Sequence, residues 1–265
     1  MKAHSLRYIY LTVFIVSSYF VNAQYWFGPK GGVQMIGNGF QSSTYSPDSF
    51  KISLNYNVHV GGMFTYAADK RYAVHAELLY ERVGRKVTEV EGVTDYTKSK
   101  SVNHFLSMPL LLRLNLGVQG SPVSFYVNGG PKLGLWMWGR GVIDLAEFTE
   151  QSVAPIRYRV VFNENKGNGD DRRVLLESNR IQYGFTFGAG SNMRLRDQMR
   201  MVIDARYSYG HSNMGFNGSP DFTWNAYFEN FEYRNHLFAV SIGLQLEYNS
   251  QFARKGGSTM GGRRR

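Results

Sequence analysis

The chain has 265 residues, no cysteine and a formal net charge of +10. That length holds one large domain or two small ones. The lack of Cys excludes disulfides, thiol nucleophiles and cysteine-ligated zinc or iron–sulfur centres. Aromatic residues reach 15% and charged residues only 19%, with 29 Gly and 7 Pro; charge is below the usual ~25%, which predicts an all-β chain in a solvent other than plain water.

Residues 1–23 read as a signal peptide, with Lys2 and Arg7 ahead of the apolar run "YIYLTVFIVSSYF" and Val21-Asn22-Ala23 as a small-residue cleavage site. The apolar run is short for a retained anchor. Residues 24–248 read as one domain, and 249–265 as a basic disordered periplasmic tail carrying Arg254, Lys255, Arg263, Arg264 and Arg265. The signal holds two of the net charges and the tail five, leaving +3 for the domain. The high pI therefore does not mark a nucleic-acid-binding domain. The tail offers a contact to an acidic periplasmic partner or to anionic headgroups.

Beyond the signal, period-2 alternation dominates. From Ile52 to Tyr66 every second residue is apolar, aromatic or Gly, and the intervening residues are mostly polar. The same reading gives eight strands, over 25–36, 51–66, 72–88, 102–116, 122–138, 179–195, 199–210 and 234–248. Connections at 67–71, 117–121 and 196–198 are short; those at 37–50, 89–101, 139–178 and 211–233 are long. This alternation predicts an up-and-down sheet with all its long loops at one end.

The apolar faces carry no charge, while the opposite faces carry Lys30, Glu77, Arg113, Lys132, Asp204, Arg206 and Glu247, with His59 and His75. So many charges cannot fill the apolar interior of a soluble barrel, so the greasy face must point outward, into lipid. Tyr56 and Tyr66 lie ten residues apart on one such face; at ~3.3 Å per residue and ~45° tilt they span about 23 Å, close to a ~25 Å apolar band. The expected architecture is an all-β, eight-stranded antiparallel up-and-down transmembrane β-barrel, with long extracellular loops and periplasmic termini.

"FGPKGGVQ" (27–34), "LLYERVGRK" (78–86), "FLSMPLLLRL" (105–114), "FYVNGGPKLGLWM" (125–137), "DARYSYGHSN" (204–213) and "FAVSIGLQLEY" (238–248) together resemble, in order and spacing, the PorT-type outer-membrane β-barrel family. The resemblance covers most of 24–248. It implies a Gram-negative outer-membrane location and a role linked to type IX protein secretion or gliding, as a non-enzymatic scaffold or binding component. A small-solute channel and a lipid-modifying or proteolytic enzyme are the alternatives.

An eight-stranded barrel is just wide enough for its own side chains to fill, and buried charges must be paired. The lumen charges therefore read as a self-satisfied network that closes the pore. Opposed residues around the 67–71 turn place His59 against Leu79 and His75 against Met63, too far apart along the barrel to share a metal, so no metal or cofactor is expected. No G-x-S-x-G occurs, "GAGSNM" (188–193) lacks the final Gly, and His211-Ser212 point apart on extended chain. In the loop 139–178, "RYRVVF" (157–162) and "RRVLLE" (172–177) read as a hairpin around "NENKGNGDD". Asn163, Asn165, Asn168, Asp170 and Asp171 lack EF-hand spacing, so a turn is preferred to a calcium site. Phe222, Trp224, Tyr227, Phe228, Phe231 and Tyr233 cluster outside the apolar band. They read as a cap on the barrel mouth or as an extracellular partner surface. Expected partners are outer-membrane lipids and lipopolysaccharide, and envelope or secretion-complex proteins; nucleic acid is not among them. Pro109 is set opposite Gly130, beside Pro131, where two missing donors predict a bulge or bend.

Overall fold

The computed structural model describes residues 24–40, 50–53, 55–69, 71–89, 98–117, 121–144, 155–162, 172–174, 179–212, 214 and 233–248. The signal segment, the calcium-candidate residues 163–171, residues 222–232 of the aromatic cluster and the basic tail lie outside them.

Among the described residues, eleven strands run β1 (Gln24–Phe40), β2 (Phe50–Ser53), β3 (Asn55–Ala67), β4 (Tyr72–Glu89), β5 (Lys98–Asn115), β6 (Val123–Asp144), β7 (Ile156–Val161), β8 (Arg172–Val174), β9 (Ile181–Arg196), β10 (Met199–Gly210) and β11 (Tyr233–Tyr248). β1 pairs antiparallel with both β3 and β11, and each further barrel strand pairs antiparallel with its neighbours, so the sheet closes on itself. Counting β2 with β3, eight strands make an antiparallel up-and-down barrel with no free edge. Ser53 lies opposite Lys86 and His59 opposite Glu81, so one extra residue is taken up where β2 passes into β3. The termini of the barrel and its short turns share one end, the turn end; the long connections share the other, the loop end.

Adjacent leucines show which way the faces point: Leu111 is 0% exposed and Leu112 60%. Outward-facing Val33, Val60, Leu110, Phe125, Phe187 and Ile242 form an exposed apolar belt, and Lys30, Glu77, Arg113, Asp204 and Arg206 are buried in the lumen. A soluble barrel could not leave that belt in water, so the chain crosses a membrane with its strands.

Three details differ from the sequence expectation. The turns set the stagger two residues away from the symmetric estimate: His59 faces Glu81, His75 faces Thr65, and Pro109 faces Lys132. No bulge forms at Pro109, and the register of β5 and β6 runs through it unshifted. Instead each proline drops two pairs on one flank: Pro109 toward β4, between Ala76↔Leu110 and Leu79↔Ser107, and Pro131 toward β5, between Pro109↔Lys132 and Leu112↔Gly129. Each strand keeps its other ladder, which holds the register. Pro29 leaves the same gap between β1 and β11, where the ladder passes from Phe27↔Leu246 to Lys30↔Gly243. The bulge lies instead at His104/Phe105, where Met137 is the extra residue. Beyond it the parity of β6 inverts, so Trp136 is buried while Trp138 and Arg140 point outward.

The third detail lies in the 139–178 loop. β7 does not fold back on β8 as a hairpin; it pairs antiparallel with β6, and β8 pairs parallel with β7. The antiparallel edge of β7 is taken by β6, which runs on to Asp144. β5 likewise begins at Lys98, before the predicted start. These extensions carry polar outer faces, which read as loop, but their inner faces (Ser99, Ser101, Ile143, Tyr158, Val160) are buried.

Candidate functional site

The lumen is built from the inward residues of all eight barrel strands, because each strand contributes every second side chain. At the turn end the Arg200 guanidinium lies 4.0 Å from the Trp26 ring centroid and donates to Gln245 at 2.8 Å. Gln245 in turn donates to Thr65 at 2.9 Å.

Above this lies the charge cluster. Lys30 Nζ reaches Glu77 and Asp204, each at 2.8 Å. Arg206 meets the same two carboxylates, at 2.7 Å and 3.1 Å. Two cations and two acids thus form a closed ring drawn from β1, β4 and β10. Tyr126 donates to Asp204 at 3.3 Å, and the Arg113 guanidinium lies 3.8 Å from the Tyr126 ring centroid. Arg113 also donates to His75 Nδ1 at 3.3 Å and to Asn192 at 3.4 Å. His75 Nε2 meets Glu77 at 2.6 Å, and His75 Nδ1 meets Thr65 at 2.7 Å. A carboxylate only accepts, so Nε2 carries the proton and Nδ1 accepts from Thr65 and Arg113.

A second ion pair sits toward the loop end, where Lys132 donates to Glu81 at 2.7 Å and Ser107 donates to the same carboxylate at 2.8 Å. Between it and the mouth is a cavity of about 50 Å³, lined among others by Glu81, Lys132, Ser208 and Ser212. Water needs ≳ 10–15 Å³ of such space, so the cavity has room for no more than a few waters. An apolar plug then closes the mouth: Ile36, Val83, Phe105, Trp136, Ile143, Tyr158, Val160, Met214 and Leu237.

Six of the seven predicted lumen charges are therefore in ion pairs or ring contacts, but not in one network. Lys30, Glu77, Asp204 and Arg206 form one ring with Arg113 beside it, and Lys132 joins Glu81 further up. Glu247 sits half-exposed at the turn end and makes no ion pair among the described residues. Glu81, Tyr126 and Thr65 were missed as members, although their lumen parity was a usable signal. His59 Nε2 meets Ser241 at 2.9 Å, away from the partners of His75. Among the described residues its Nδ1 makes no hydrogen bond, so within them no third group orients this ring. His211 packs on Tyr183 at 5.4 Å between ring centroids, while Ser212 donates to Gln182 at 2.8 Å. Tyr233 is placed in β11 opposite Phe40.

Outward, Tyr80, His104 and Trp138 stack into a collar, with ring centroids 5.7 Å and 5.0 Å apart and the Tyr80 hydroxyl 2.6 Å from His104 Nδ1. At the turn end Tyr25 packs on Tyr66 at 5.5 Å.

A family model described as outer membrane protein beta-barrel domain matches residues 22–215. Among solved structures, the chain is similar to OprG from Pseudomonas aeruginosa, with 13% identity and a TM-score of 0.45 over 84% of this chain and 96% of that one. It is similar to AlkL, with 11% identity and a TM-score of 0.45 over 86% and 91%. It is also similar to Neisserial surface protein A, with 11% identity and a TM-score of 0.38 over 86% and 99%. No curated protein sequence matches the chain.

Proposed function

The chain belongs to the outer membrane protein beta-barrel domain family, and on that premise we propose that it is a closed, non-enzymatic scaffold or binding component of a Gram-negative outer membrane. In this reading the termini and short turns face the periplasm and the long connections face outward. One observation carries it: an ion-paired charge ring fills the middle of the lumen and an apolar plug its mouth, with cavities of about 50 and 30 Å³ between them. Such an interior offers neither a water-filled path nor an apolar slot for an acyl chain. The surfaces left to work are outside the barrel.

The resemblance to PorT-type barrels gives the finer part of the proposal. The protein serves type IX secretion or gliding, holding envelope proteins rather than moving solutes. In planar bilayers the purified protein is expected to be electrically silent; steady nanosiemens conductance would overturn the closed-lumen reading. Affinity purification from gently solubilised outer membrane should return secretion-machinery proteins; recovery of lipids and unrelated porins alone would remove the type IX assignment. A Lys166→Cys variant should react with an impermeant maleimide on intact cells; labelling only after lysis would invert the orientation.

A further inference from the structure

Above the aromatic collar, the outer face of β4, β5, β6 and β7 is cationic. Arg82, Lys100, Arg140, Arg157 and Arg159 line a groove of about 510 Å³, with Val102, Gly141, Val142 and Tyr158 completing it. The ladder fixes their order. Arg82 shares a rung with His104 and Trp138. One step further from the apolar belt, Val102, Arg140 and Arg159 share a rung, and on the next Lys86, Lys100, Val142 and Arg157 do. At ~3.3 Å per residue and ~45° tilt, these rungs stand about 5 and 10 Å above the collar. That is the depth of headgroups, not of acyl chains.

The second observation is a cost built into the sheet. Arg140 lies directly opposite Arg159, and Lys86 directly opposite Lys100. Like charges facing across a ladder repel and destabilise it. Among the residues whose side chains the structure describes, no carboxylate forms a salt bridge with any of these five groove cations. Two like-charge pairs side by side, with no carboxylate partner among the described side chains, suit a site completed by an anion from outside. Arginine forks suit phosphate oxygens in particular, since two N–H groups bond one phosphate.

We propose that this face binds the phosphorylated headgroup of an outer-leaflet glycolipid, with the acyl chains lying along the apolar belt below Trp138 and Leu135. Arg140 and Arg159 clamp one phosphate between them, and Lys100 and Arg157 hold a second anionic group above it. Basic clusters at the membrane surface recognise anionic headgroups in this way. The continuity of the groove with the lipid-facing belt is what favours a lipid over a soluble anion. The inference rests on the orientation proposed above, in which this end faces the outer leaflet.

Native mass spectrometry of the full chain in micelles tests it, using bis-phosphorylated lipid A and the same lipid with both phosphates removed. The phosphorylated lipid should bind at least ten-fold more tightly. The variant Arg140→Gln/Arg159→Gln should lose at least ten-fold of that affinity while keeping the heat-modifiable gel shift of a folded barrel. If it does not fold, Lys100→Gln/Arg157→Gln removes the outer anion contact and should lose several-fold. Equal binding of the two lipids, or undiminished binding by a folded variant, overturns the proposal. So does competition by inorganic phosphate at the concentration of the lipid, which would make the groove a soluble-anion site. Micelles have no sidedness, so the result is independent of the orientation, which the Lys166→Cys labelling decides separately.

Discussion

Lys30 and Glu77 meet at 2.8 Å across the lumen, although their strands, β1 and β4, are not neighbours in the barrel. Each carboxylate of the ring also serves Arg206, so no member can be removed without leaving a buried charge short of a partner. Breaking a buried pair from one side costs ~3–5 kcal/mol, whereas replacing both partners with apolar groups is often neutral. Glu77→Gln is therefore expected to lower stability by about 3 kcal/mol or more. Lys30→Met/Glu77→Gln should lose less than Glu77→Gln alone. Urea unfolding in detergent, followed by gel shift, measures both; a double variant worse than the single would contradict the ring.

Tyr126 separates packing from hydrogen bonding. Tyr126→Phe removes the donor to Asp204 but keeps the ring beside Arg113. The loss should be about 1 kcal/mol. Tyr126→Ala removes the ring as well and should cost ~3–5 kcal/mol. Similar losses for the two would mean that the ring contributes little.

The outward belt gives a depth-dependent test. Ile242 is mid-strand on β11, opposite Gly31 and Ile203, while Tyr56 stands near the loop-end edge of the belt. Ile242→Arg is expected to cost ~2–4 kcal/mol in bilayers and Tyr56→Arg only ~0–1 kcal/mol. Equal penalties would mean that the membrane does not sit where the belt places it.

The opposed arginines predict a stabilising substitution. In micelles free of anionic lipid, Arg140→Gln relieves the repulsion with Arg159 and should raise stability by ~0.2–1 kcal/mol. Thermal unfolding followed by circular dichroism reads the difference. A destabilised variant would show that the pair is compensated within the protein.

Gly130 marks a close approach: a Cβ there would run into the Leu110 carbonyl oxygen, on the flank where Pro131 has already thinned the ladder. Gly130→Ala must push β5 and β6 apart and should cost ~1–3 kcal/mol. Refolding yield into detergent would reveal it.

The strands were legible because each crosses the belt with a greasy face and a polar face, a pattern that survives any error in register. The lumen charges were legible for the same reason, since parity alone places Lys30, Glu77, Asp204 and Arg206 inside. Which of them meet was not, because that depends on stagger. A two-residue offset at the 67–71 turn moves His59 from Leu79 to Glu81. The bulge at His104/Phe105 inverts the side-chain parity of β6 beyond it, which an unbroken period-2 reading does not anticipate. The plug escaped for a different reason. Phe105 and Trp136 are apolar residues pointing inward, and a rule that sends apolar side chains to lipid has no place for them. The cationic groove lies where strands run past the belt, and there composition resembles loop.

The gap at Pro29 bears on how the barrel forms. β1 and β11 are the chain's two extremes, so their ladder joins residues 193 to 223 positions apart and carries the largest loop-closure entropy of the eight seams. It is expected to zip last. The missing rungs split that seam into a three-pair run, Tyr25 to Phe27, and a longer one beginning at Lys30. Closure thus becomes two nucleation events, and the longer run is anchored by the same lysine whose charge the ring must bury. The last step of wrapping the sheet and the burial of Lys30 are one step, so amides beside the gap should exchange with solvent well before those of the hairpin ladders.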